Sequence, residues 1–350
     1  MRALKVIVPP FLLTICFIYG FCVGKYRWFP FEQLAVIKRT LSQISKLNND
    51  SLLVELAKTN NIELNDSLKG LNSISSSKKS NTIQFISFGD NTFKNIKGLL
   101  NSINLNNSSL IVHVGDILLS GSLCEDSEID HQLELINNLN SPVLYTPGDN
   151  EWRDCIDKAK NDNYNLERLA YIRKSYFYKN QTLGRNPSIV ENQRIRGYPE
   201  NARLIKNNIA FITAHIVGGQ NNFDLYSKEN ILEYLQRDAA NIEWITKSFE
   251  TYKEASAFVI VTHGDIFGRK EIPLFYEKFA NSLLELTNKY KRPVLLLNGN
   301  RHEFKSFQPS KSKFPFLHVI QNFGYPDKKA IVIEVNPLKT IPFNVIKLID

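Results

Sequence analysis

Cysteine is scarce in this chain: four in 350 residues. Cys16 and Cys22 lie in an N-terminal apolar run, which leaves Cys124 and Cys155 as the pair available to the rest of the molecule. Both follow glycine–aspartate turns. If those turns share one sheet edge, the two are close enough to bridge; the alternative is two unpaired thiols. A bridge would need an oxidising compartment. Also missing is any basic run interleaved with aromatics. The net charge is +8, but Lys and Arg are scattered among acidic residues, which disfavours nucleic acid as the main partner. There is no internal repeat.

Hydrophobic residues make up 43% of the sequence, enough for a substantial core in one large domain or two small ones. Val6 to Gly24 is almost entirely apolar, with Arg2 and Lys5 before it and Lys25 and Arg27 after it. That is close to the roughly 20 residues that span a bilayer. The run lacks a small-x-small cleavage site, and neither of its cysteines follows a lipoprotein-type sequence. Residues 1–30 are therefore expected to be a signal-anchor or transmembrane segment, with the membrane as a partner. Basic flanks at both ends leave its orientation unset. The cysteine argument puts the soluble part outside the cytoplasm, anchored or exported. Residues 31–81 have patchy helical spacing and end in a polar tract, Ser75 to Asn81, and are expected to form a stalk or linker. Residues 82–350 are the expected domain.

Within that domain, apolar strand-like runs end repeatedly at a glycine. Thr82 to Phe88 stops at Gly89-Asp90, Leu110 to Val114 at Gly115-Asp116, and Pro142 to Tyr145 leads to Gly148-Asp149-Asn150-Glu151-Trp152. Ala257 to Val261 stops at His263-Gly264, and Pro293 to Leu297 at Gly299-Asn300-Arg301-His302. Helical patterns intervene at Phe93 to Ile103, Ile129 to Leu139, Lys228 to Glu254 and Ile272 to Tyr290. The alternation predicts a layered, mainly parallel α/β sheet. Arg203 to Ile216 reads as a hairpin turning at Asn207-Asn208. Phe316 to Ile320, Ala330 to Val335 and Phe343 to Ile346 read as closing strands. Cys155 to Pro199, rich in Tyr, Arg and Asn, reads as an insertion across the mouth of a site.

Open α/β sheets place ligands at the carboxyl ends of their strands. There this chain offers Asp90, Asp116, Asp149 with Asn150, His263, and Asn300 with His302. Carboxylate, amide and imidazole together suit divalent cations, and a shared carboxylate suits a pair of them. Each residue also has a local reading. Asp and Asn form turns without any ligand, a lone histidine is more often packed than ligating, and Asn300 could only shape its turn. His113 sits inside a strand and reads as structural. Trp152 reads as a core anchor. Arg153 and Arg301 suit bidentate phosphate contacts or simple solvation. His215 and the loop Gly218 to Asn222 either line a substrate mouth or make a turn.

The motif order resembles the calcineurin-like metallophosphoesterase superfamily, in the branch with Gly-Asp-Asn-Glu-Trp as third motif. The resemblance covers about residues 82–350. It implies a four-layer sandwich of two packed mixed β-sheets flanked by helices. It also implies Asp90 and His302 at a first metal, Asp116 bridging, and Asp149, His263 and Asn300 at a second. Three positions depart from the pattern: Thr92 stands for the first motif's histidine, Asn300 for the first histidine of the last motif, and no histidine occupies the third motif's catalytic position. Two registers remain open there. Either Asp149 is the ligand and Asn150 takes the catalytic place, or Asn150 is the ligand and Glu151 takes it. Glu151 or His215 would then supply acid–base chemistry. Losing imidazoles and gaining a carboxylate makes the set harder, favouring Mn, Mg or Ca over Zn or Fe. The implied function is hydrolysis of a phosphate mono- or diester by metal-bound hydroxide, with a phosphorylated substrate as partner. The alternative is a degenerate member that binds metal or a phosphorylated ligand without turnover.

Overall fold

The computed structural model of the chain describes residues 81–91, 96–157 and 163–350. The expected anchor, the expected stalk up to Ser80, and Thr92 lie outside the described residues. Among the described residues no helix is long and apolar enough to cross a membrane.

In chain order the strands are β1 (Ile83–Phe88), β2 (Ile111–His113), β3 (Val143–Tyr145), β4 (Glu191–Gln193), β5 (Tyr198–Lys206), β6 (Ile209–Thr213), β7 (Ala257–Val261), β8 (Val294–Asn298), β9 (Lys305–Phe307), β10 (Leu317–Gln321), β11 (Ala330–Val335) and β12 (Phe343–Ile349). The longer helices are α1 (Lys97–Leu105), α2 (Asp126–Asn137), α3 (Tyr164–Tyr176), α4 (Lys228–Thr251) and α5 (Glu277–Tyr290). One sheet runs β12-β11-β1-β2-β3 and the other β4-β5-β6-β7-β8-β10-β9.

Period-two alternation explains the layering. Along β7, Ala257, Val259 and Val261 face a core shared with Phe85, Val112 and Ile333 of the other sheet. Phe258 and Ile260 turn outward onto Trp244, Phe249 and Leu283 of α4 and α5. On the first sheet, Ile86 and Phe88 face Leu99, Ile129 and Ile172 of α1, α2 and α3. Both faces of the central strands are buried, which is why they read as continuous apolar runs. The result is two mixed sheets flanked by helices.

The expectation of a mainly parallel sheet holds only for the middle of each layer. β1, β2 and β3 are parallel, as are β6, β7, β8 and β10. β11 and β12 pair antiparallel at one edge, as do β4, β5 and β9 at the edges of the other sheet. β4 (Glu-Asn-Gln) and β9 (Lys-Ser-Phe) escaped the sequence because three-residue, mostly polar edge strands have no apolar pattern. The hairpin turn is where it was expected: Asn207 and Asn208 both have positive φ, at 49° and 59°, as a two-residue turn of matching twist requires.

In-register pairing fixes the site. Phe88, His113 and Tyr145 lie on one rung across β1, β2 and β3. Val261 and Leu297 do so across β7 and β8. The turns that follow all these strands therefore emerge on one rim.

Candidate metal centre

Three carboxylates and two imidazoles meet on that rim as two overlapping groups. Asp90, Asp116 and His302 form one; Asp116, Asp149 and His263 form the other. Within each group the ligand-capable atoms lie within 4.8 Å of one another. Asp116 belongs to both, the position of a bridging ligand. His263 Nε2 is 2.8 Å from Asp149 Oδ1 and 3.4 Å from Asp116 Oδ1. His302 Nε2 is 3.6 Å from Asp90 Oδ1.

The histidines are oriented by carbonyls behind them. His263 Nδ1 donates to Val114 O at 2.7 Å, and His302 Nδ1 donates to Tyr325 O at 2.9 Å. Each bond puts the proton on Nδ1 and leaves the Nε2 lone pair facing the carboxylates, the tautomer a metal ligand requires. Burial without partners points the same way. Asp90 Oδ2 is buried and makes no hydrogen bond. Buried polar atoms are normally paired. The donor set thus fits two divalent cations on an observation internal to the chain.

The backbone bends to make this possible. Asp90, Asp116, Asn300 and His302 have φ of 52°, 58°, 71° and 59°, left-handed conformations that non-glycine residues seldom adopt. Such strain persists where the surroundings fix it, and it collects at functional sites. Gly115, at φ 96°, lies so close to Gly148 that a Cβ would stand 2.5 Å from the Gly148 nitrogen. Only glycine allows the two loops carrying Asp116 and Asp149 to touch. Backbone donors then steer the carboxylates: Asn300 N–H to Asp90 Oδ1 at 2.8 Å, Asn150 N–H to Asp116 Oδ1 at 3.1 Å, and Gly218 N–H to Asp149 Oδ1 at 3.0 Å.

Burial raises the Asp90 carboxyl to about 6, against the pull of His263 and His302. Burial, with Asp149, Glu151 and Asp90 close by, holds Asp116 well above the usual carboxylate range. Asp149 is buried too, but the His263 hydrogen bond, Arg153 and the Gly218 N–H bring it below that range. Burial opposes charge on His263; the surrounding Asp116, Asp149 and Asp90 outweigh it and raise the imidazole. This is a cluster short of positive charge, and protons stand in for cations.

The remaining predicted residues take other places. Asn300 Oδ1 lies beside the Asp149 carboxylate, and a Cβ on Gly218 would collide with both. Asn150 turns away and donates through Nδ2 to Leu118 O at 3.2 Å. Glu151 folds beneath the turn, where Oε1 accepts from Tyr145 Oη at 2.6 Å and Gly148 N–H at 2.8 Å. It is fully buried and serves as a brace for its own loop. Of the two registers, it is Asp149 that faces the other carboxylates. His215 is buried behind Trp152, its Nδ1 3.0 Å from Glu200 Oε1. His113 accepts the Gly115 N–H at Nδ1, and burial drops it to about 3. Arg301 stands 3.7 Å from Asp265. Arg153 pairs with Asp154 and packs against Gly219 at the edge of the rim.

Sequence reasoning missed the support behind the Gly218 loop. Arg237 of α4 is fully buried, donates to His215 O and to Asn221 Oδ1 and O, and pairs with Glu233. Only its place on the apolar side of the α4 pattern could have signalled this.

No family model matches the chain, and no curated protein does. Among solved structures it is similar to a dimetal phosphatase from Danio rerio, at 10% identity over 76% of this chain and 98% of that one, with a TM-score of 0.43. It is similar to a 5'-nucleotidase from Candida albicans, at 12% over 73% and 48%, with a TM-score of 0.41. A protein of Thermus thermophilus follows at 9% over 72% and 94%, with a TM-score of 0.38. Likeness at that level decides nothing about the chemistry, which rests on the side chains described above.

Proposed function

We propose that the chain is a metal-dependent phosphoesterase of the calcineurin-like kind, hydrolysing a phosphate mono- or diester at a two-cation centre. The carrying observation is the sharing of Asp116 between two three-residue ligand groups. Asp90 and His302 would hold one cation, Asp149, His263 and Asn300 the other. The pair would supply Lewis acidity toward a phosphoryl oxygen and activate water. Three carboxylates, one amide and two imidazoles form a hard set, which favours Mn, Mg or Ca over Zn or Fe. Arg153 lies where its guanidinium can meet a phosphoryl oxygen and add positive charge beside Asp149.

No imidazole occupies the third-motif position, since Asn150 and Glu151 are both engaged with the protein. The leaving group therefore departs without a dedicated acid. Aryl phosphates should be hydrolysed and alkyl phosphates should lag by roughly 100-fold or more, the scale of a missing general acid. Elemental analysis of the purified protein, followed by turnover of p-nitrophenyl phosphate with the metal found, tests the proposal. Absence of metal-stimulated turnover, or turnover unchanged in Asp116→Ala, refutes it. The same two residues favour the second reading, a binder without turnover; metal occupancy with no hydrolysis of any phosphoester would select it.

We further propose that the domain works outside the cytoplasm, tethered through the apolar run at Val6 to Gly24. Support comes from the Cys124–Cys155 disulfide, a bond kept in oxidising compartments. Alkylation of the unreduced protein tests it: free thiol at both positions refutes it.

A further inference from the structure

A cleft of about 870 Å³ lies away from the metal centre, at the opposite end of the sheets, at the amino ends of β7, β8 and β10. Strands of five or six residues put it about 20 Å from the rim of carboxylates. Its floor is aromatic, from Phe307, Phe316 and Phe343. Its lip is basic: Lys291, Arg292, Lys311 and Lys339, against a single acidic residue, Glu254. Lys339 pairs with Glu334; among the described residues Lys291, Arg292 and Lys311 have no acidic partner. Beside the cleft, the β11–β12 hairpin lifts Leu338 and Ile341 into solvent, at 87% and 64% exposure.

Cationic lip, apolar floor and protruding aliphatics suit an amphiphile with a negative head. A volume in the upper range of ligand pockets exceeds what a bare anion needs. The position of the chain selects among amphiphiles. Asn81 lines this cleft, and the eighty residues before it in sequence include the apolar run Val6 to Gly24. We propose that this cleft binds an anionic phospholipid of a bilayer, its phosphate on Lys291, Arg292 and Lys311 and its acyl chains against the aromatic floor. The proposal rests on the membrane tether and is independent of the phosphoesterase reading.

The test is hydrogen exchange on the full chain with two kinds of vesicle: pure phosphatidylcholine, and phosphatidylcholine with roughly one-fifth phosphatidylglycerol, whose charge attracts about 1 kcal/mol per basic residue. The basic flanks of the apolar run also favour the anionic vesicles, so the cleft is isolated by comparison with Lys291→Glu/Arg292→Glu, which leaves those flanks intact. Expected is slower exchange, on the order of tenfold, at residues 291–292, 311 and 338–341 with the anionic vesicles alone. Lys291→Glu with Arg292→Glu should abolish it, and so should Ile341→Asp. Asp116→Asn should not. Three results overturn the proposal: equal exchange at these residues with both vesicles, protection by soluble glycerol phosphate beside phosphatidylcholine vesicles, or protection that moves to residues 115–118 and disappears in Asp116→Asn. None of these bears on whether the metal centre turns over phosphoesters.

Discussion

Asp116 has two costs in the protein without metal. Its φ of 58° is left-handed, and its carboxylate is buried beside Asp90 and Asp149. Asp116→Asn removes the charge and keeps the shape. Metal affinity should fall by more than about 100-fold, the upper end of losses seen for residues merely supporting a ligand. Stability of the metal-free protein should rise by about 1–2 kcal/mol, because burial of that carboxyl, and its repulsion with Asp149 and Asp90, no longer has to be met by taking up a proton. Calorimetric metal titration and urea unfolding measure the two; a metal-free variant less stable than its parent would count against the repulsion. Arg153→Ala should raise KM several-fold with little change in kcat if the guanidinium holds substrate equally before and during reaction. The rim carboxylates were legible one by one because glycine–aspartate turns are local chemistry. Glu151 and His215 were not. Whether a side chain beside a tight turn faces the rim or the core depends on what packs beneath it, here Tyr145 for the one and Glu200 for the other.

The loop from β6 to α4 is the least ordinary element. Gly219, Gln220, Asn221 and Asn222 have φ of 52°, 59°, 56° and 64°, four consecutive left-handed residues. Each non-glycine member costs roughly 1–2 kcal/mol in that conformation. Arg237 holds the turn from inside, and Asn222 Nδ2 bonds Glu233 Oε2 at 2.9 Å. Gln220 is exposed. Gln220→Gly should stabilise by about 1 kcal/mol in thermal unfolding, whereas Arg237→Met should destabilise by about 3–5 kcal/mol, since Glu233 is left buried and unpaired. From the sequence, Gly218 to Asn222 either lines a mouth or makes a turn; its handedness was not legible, because Arg237 imposes it from another element. The Cys124–Cys155 bond joins the loops that follow β2 and β3, closing a separation of 31 residues. Its loss in Cys124→Ser should cost about 4 kcal/mol by the chain-entropy argument. Metal affinity should fall with it, because those loops carry Asp116 and Asp149. Unchanged stability in dithiothreitol would contradict this.

Across the whole molecule, the middle of each sheet was readable because both faces are buried and the runs are continuous. The three-residue edge strands β4 and β9 were not, because they owe their pairing to neighbours rather than to pattern. The same burial governs the response to acid. His113 and His215 are held neutral by burial, down to about 3 and about 4. Unfolded histidines take protons near 6.5. These two groups therefore stabilise the fold fully above that value, and the contribution is lost as pH falls from about 6.5 toward 4. Asp90, raised to about 6, acts in the opposite sense: its proton favours the folded state as pH falls from about 6 toward 4. A cation holding Asp90 ionised removes that compensation. Stability should decline more steeply with acid in the metal-loaded protein than in the metal-free one, as urea midpoints across pH 4–7 would show.

The two ends of the parallel strands are unlike: one gathers Asp90, Asp116 and Asp149, the other receives the chain at Asn81 beside a basic cleft. Opposite charges are thereby kept at opposite poles of one set of strands. An anion drawn to the basic pole does not compete for cations gathered at the acidic one, so each pole can be loaded or emptied while the other is left as it was.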